Sequence, residues 1–83
     1  MALEKLAPAP IVGEELTREQ EAKIVGELQT LPVPLLESLL QEYHSFMESD
    51  RWNSVSPDFQ KCYRNSEFVV FTALGAAKAK AQE

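Results

Sequence analysis

The sequence predicts an all-α protein: a helical hairpin plus a long or broken C-terminal helix, three to four helices in all, behind a flexible N-terminal arm. Three observations carry this. Residues 33–48 hold apolar side chains at helical spacing. Helix-start signals stand at Thr17 and at Ser56-Pro57. The one strand-like run, Phe68 to Thr72, has no second strand of equal quality to pair with, so helix is the better reading. A chain of 83 residues has room for one domain, divided here as an arm over 1–15 and a helical domain over 16–83.

The arm comes first. Pro8, Pro10 and Gly13 disfavour helix. Leu3, Leu6, Ile11 and Val12 are apolar enough to dock as an extended strap. Thr17-Arg18-Glu19-Gln20 then fits a capping box, and Glu19 and Glu21 suit the positive end of a helix dipole. This predicts a helix over 17–30 with Ile24, Leu28 and Leu31 on one face and Val25 at its edge. Gly26 in its middle implies a close approach by another backbone.

Leu31-Pro32-Val33-Pro34 ends that helix and starts the next, since proline is tolerated in a first turn. The second helix, about 33–48, sets Leu36, Leu39, Leu40, Tyr43, Phe46 and Met47 in one stripe. So short a connector makes the pair an antiparallel hairpin. A loop carrying Trp52 follows, whose ring either folds back to close the end of the hairpin or anchors a partner. Ser56, with Pro57 behind it, starts a last helix that runs to about Lys80 or restarts near Asn65-Ser66.

That helix poses the main question. At about 100° per residue from Phe59, the residues Tyr63, Val70, Ala73, Leu74, Ala77 and Cys62 fall on one side. Phe68 falls near 180° and Phe71 near 120°, among Lys61, Arg64 and Lys78. The residues leave three answers open for what covers the two rings: the N-terminal arm, a break that rotates them inward, or another chain.

The charge is −5, divided as −7 over residues 1–50 and +2 over 51–83, which suggests either an oriented partner surface or acidic and basic faces packed against each other within the domain. An acidic total opposes nonspecific binding of phosphate backbones, so nucleic acid is not the expected partner. The longest nearly uncharged apolar run, Phe68 to Ala77, is half of what spans a bilayer, and the N-terminus lacks a secretory pattern. Cys62, the single cysteine, excludes an intrachain disulfide and suits a reducing, cytoplasmic compartment.

Chemistry is scarce. Cys62 and His44 are the sole thiol and imidazole, and Cys62 projects onto the core stripe, where a thiol is inert. One His, one Cys and scattered Glu make no metal-ligand spacing, and the three glycines stand apart, so no phosphate loop exists. No catalytic, metal or cofactor-binding residue is assigned. The expectation is a non-enzymatic protein–protein interaction module, a small regulatory, adaptor or accessory subunit that self-associates through its last helix. Phe68 and Phe71 carry the contact, with Trp52, Val69 and Leu74 as additions. The alternative is a small dimeric, nucleic-acid-linked transcriptional regulator.

Overall fold

The computed structural model describes residues 9–81. Three α-helices form in order, α1 (Arg18–Leu28), α2 (Val33–Glu48) and α3 (Pro57–Ala81), with a 3-10 turn over Asp50–Ser54 between the last two. The capping box at α1 is complete: the Gln20 amide donates to Thr17 Oγ1 at 3.1 Å, and the Thr17 amide donates to Gln20 Oε1 at 3.4 Å. A turn over Gln29–Leu31 then leads into α2, whose first turn contains Pro34. At the end of α2, Ser49 Oγ donates to the Phe46 carbonyl at 2.6 Å. Ser56 Oγ accepts from the Phe59 amide at 3.2 Å and opens α3.

α3 lies against both arms of the α1–α2 hairpin, which scarcely touch each other, in a molecule with principal extents of 44 × 31 × 17 Å. Side chains recurring at three and four residues along α3 supply the core: Tyr63, Ser66, Val69, Val70, Ala73, Leu74 and Ala77 are all buried. Val69 and Ala73 meet Val25 of α1, while Leu74 and Ala77 meet Leu36 of α2. Tyr43, Tyr63 and Val70 form the third contact, joined by Phe46 and Trp52.

α3 is unbroken through Asn65-Ser66. Rather than capping a new helix, the fully buried Ser66 turns its hydroxyl to the Cys62 carbonyl at 2.7 Å, one turn back. The same oxygen accepts from the Ile11 and Val12 amides at 2.9 and 3.3 Å. Asn65 Nδ2 donates to the Gly13 and Glu14 carbonyls at 3.0 and 2.9 Å, and Tyr43 Oη donates to the Ala9 carbonyl at 2.7 Å. Residues 9–14 thus run as a strap whose backbone groups bond to side chains of α2 and α3. Val12 and Leu16 add apolar contact to the Val25–Val69–Ala73 cluster. The strap covers the inner side of α3, so it leaves Phe68 and Phe71 open. Leu3 and Leu6 lie outside the described residues.

Burial raises the pKa of both core phenols above the ordinary value of 10.0, because the phenolate would lose its water. For Tyr43 the neighbouring Tyr63 pushes the same way, the Ser66 hydroxyl pulls against it, and Glu42 adds a smaller push upward.

Gly26 corrects an expectation. A methyl group built on it meets nothing within 4 Å, so no second backbone approaches there. On an exposed helix face, glycine then costs conformational entropy with nothing gained from packing. Gly26→Ala is expected to stabilise the fold by about 0.5–1 kcal/mol, read as a higher urea midpoint at unchanged slope. A destabilised variant would mean that the site is occupied.

Candidate interaction surface

Phe68 and Phe71 stand in water with 48% and 59% of their surface exposed, the two most exposed aromatic rings among the described residues. The reason is geometric. α3 buries the side that it turns to α1, α2 and the strap, and Phe68 and Phe71 lie on the opposite side. Together the two rings expose about one ring's full surface, roughly 150–250 Å². That alone is smaller than the patches that mark partner sites, so the surroundings decide.

Beside Phe71 an open groove of about 460 Å³ runs between α2 and α3. Leu40, Leu74 and Phe71 contribute its apolar lining, and Glu37, Gln41, His44, Gly75 and Lys78 complete its sides. Two polar ties cross the same seam: His44 Nε2 lies 3.4 Å from Glu67 Oε1, and Lys78 Nζ lies 3.5 Å from Glu37 Oε2. They show that α2 and α3 run antiparallel here. Both ties are solvent-exposed and contribute little to stability. Gly75 adds to the opening, because a methyl group built on it also meets only open space.

The outer side of α3 is basic as well as apolar. Lys61, Arg64, Phe68, Phe71, Gly75 and Lys78 are all exposed and share roughly a 100° sector of the helix, which holds no acid. This stands out in a chain of net charge −5.

The other sequence candidates separate. Trp52 is half-buried: its ring meets Tyr63 at 5.8 Å and Phe46 at 6.0 Å, each edge to face. It closes the end of the hairpin, and one side still looks toward the basic sector, with the Arg64 guanidinium 5.9 Å from the ring centre. Val69 and Leu74 are corrections. Val69 is fully buried against α1, since it lies on the flank that α1 covers, and Leu74 is 7% exposed, with only its groove-side edge available. Neither side chain can serve as a free contact. Phe59, placed at the centre of the inward stripe, is 37% exposed, because the first turn of α3 offers it only the edge of Tyr63.

Cys62 is half-buried, and His44 sits at the groove against Glu67. Among the described residues no group of three His, Cys, Asp or Glu could hold a metal ion, and no helix is long and apolar enough to cross a membrane. Sequence reasoning missed the groove-lining Gln41, His44 and Gly75 and the strap-binding Asn65 and Ser66. The local signal at Asn65-Ser66 reads equally as a helix break, and nothing local shows that α2 and α3 splay apart beside Gly75.

No protein-family model, curated protein or solved structure matches this chain.

Proposed function

We propose that this chain is a non-enzymatic protein–protein interaction module whose contact surface is the outer side of α3 and the adjoining α2/α3 groove. One observation carries the reading: two large aromatic rings are held in water on a rigid, continuous helix, beside a groove with an apolar lining. Exposed phenylalanines contribute nothing to the core and favour aggregation, so a covering partner is the physical reason for keeping them. An adaptor or accessory-subunit role follows from size and from the lack of reactive groups gathered on this side.

The double variant Phe68→Ser/Phe71→Ser tests it. Both rings lie outside the core, so the variant is expected to fold with a stability change of about 1 kcal/mol or less. Light scattering and affinity capture, each run on wild type and variant, should show one bound chain that wild type retains and the variant loses. A variant that unfolds would place the rings in the core and sink the reading. So would identical captured sets and identical masses.

A second reading, a nucleic-acid-linked regulator, rests on Lys61, Arg64 and Lys78 lying next to the two rings. Glu37 and Glu67 along the same seam repel phosphates, which ranks it below the first.

A further inference from the structure

We infer that the trough between α1 and α2 is a binding site for an extended peptide, which the chain fills with its own residues 9–14. The site lies on the inner side of α3 and is independent of Phe68 and Phe71.

The trough exists because both arms of the hairpin meet α3 but scarcely meet each other. Near the connecting turn, Leu28, Leu31 and Val33 pack around Leu36, Leu74 and Ala77 and close the gap. Farther from the turn the strap takes over. Ala9 meets Tyr43 of α2, Val12 joins Val25 of α1, and Ser66 of α3 holds the amides of Ile11 and Val12.

What these helices recognise is a main chain. Ser66 Oγ accepts from two successive amides, Tyr43 Oη donates to the Ala9 carbonyl, and Asn65 Nδ2 donates to the Gly13 and Glu14 carbonyls. All five bonds end on backbone atoms, and Tyr43 and Ser66 are fully buried. Polar side chains so placed need a partner, which an extended segment supplies whatever its sequence.

The strap's own side chains matter less. Ile11 is 40% exposed, and Gly13 has neither a positive φ nor a neighbour within 4 Å of an added methyl group. Val12 is the side chain that packs against Val25, Val69 and Ala73. The ligand class follows: an extended segment with two successive non-proline amides, the second belonging to an apolar residue.

This ligand can leave. The strap belongs to no helix, so its release breaks five hydrogen bonds and one small apolar contact while the helix-to-helix clusters persist. Tethered a few residues before α1, it competes at an effective concentration of roughly millimolar and masks the trough from weaker ligands.

The test uses the full chain carrying Val12→Asp. A carboxylate set among Val25, Val69 and Ala73 ejects the strap and leaves the trough itself unaltered. A labelled peptide of residues 9–16, acetylated and amidated, is titrated into this variant and into wild type and followed by anisotropy. Val12→Asp should bind it at least about tenfold more tightly than wild type, because the tethered competitor has gone. Ser66→Ala added to the same chain should weaken that binding at least about fivefold, and the peptide carrying Val12→Asp should not bind. Circular dichroism confirms that each variant is folded. Wild type supplies a readout that needs no variant: excess unlabelled peptide should speed amide exchange at Ile11 and Val12 while Val69 and Val70 stay slow.

Equal affinity of wild type and folded Val12→Asp, no binding to the latter, indifference to Ser66→Ala, or binding of the substituted peptide overturns the inference. Exchange at Ile11 and Val12 unmoved by excess peptide does the same. Phe68→Ser/Phe71→Ser, added to Val12→Asp, should leave the peptide's affinity as it was. A loss there would seat the peptide on the outer side of α3 and overturn the inference in favour of that surface.

Discussion

Tyr63→Ala is expected to remove about 3–5 kcal/mol, most of the stability of a chain for which about 4–12 kcal/mol is ordinary. Tyr63 is 1% exposed and sits where four other rings meet. Phe46 and Phe59 lie 4.9 Å from it, Tyr43 5.6 Å and Trp52 5.8 Å, centre to centre. Deleting the ring removes its own burial and leaves a void that these partners cannot close, because they come from α2, the 3-10 turn and α3 itself. Urea unfolding followed by Trp52 fluorescence reads the loss, since the indole touches the deleted ring. Tyr63→Phe keeps the ring and should cost under about 1.5 kcal/mol. If the alanine variant costs no more than the phenylalanine one, the aromatic cluster is not what ties the end of the hairpin to α3.

Ser66→Ala should cost about 1–3 kcal/mol, far above what one exposed serine is worth. Its oxygen is the acceptor for both the Ile11 and the Val12 amides. The amides can regain partners only in water, so the strap has to lift. Val12 and Leu16 then leave the cluster around Val25, Val69 and Ala73. Amide hydrogen exchange should show Ile11 and Val12 losing protection while Val69 and Val70 stay protected. Ser66→Thr retains a hydroxyl, so a loss as large as alanine's would point to crowding at this fully buried site. Unchanged exchange at Ile11 and Val12 in the alanine variant would show that Asn65 and Tyr43 hold the strap without it.

These two sites differ in how readable they are in the sequence. Tyr63 projects inward from Phe59 by the helical repeat alone, and the repeat also sends Phe68 and Phe71 outward. Ser66 reads as a cap or a break because a serine beside an asparagine commonly is one. Its bonds go to residues 54 and 55 positions earlier, a distance over which no local pattern speaks. Val69 failed as a surface candidate for a related reason. It lies on the flank of the inward stripe, and α1 happens to approach from that side. Phe59 failed in the opposite direction, since the stripe's centre is wet where the helix has only just begun.

By itself the sequence determined where the helices lie and which way their side chains point. The capping box at Thr17, the Pro-assisted starts and the repeat of α2 act between residues a turn or so apart, so they hold whatever surrounds them. It also determined that Phe68 and Phe71 would oppose the core, because about 100° per residue is a property of one helix. Only the tertiary structure decided the continuity of α3, the seat of the strap on Ser66, the empty space over Gly26 and the groove beside Gly75. Those depend on the side from which a neighbour arrives, and three helices can bring neighbours to only one side of α3.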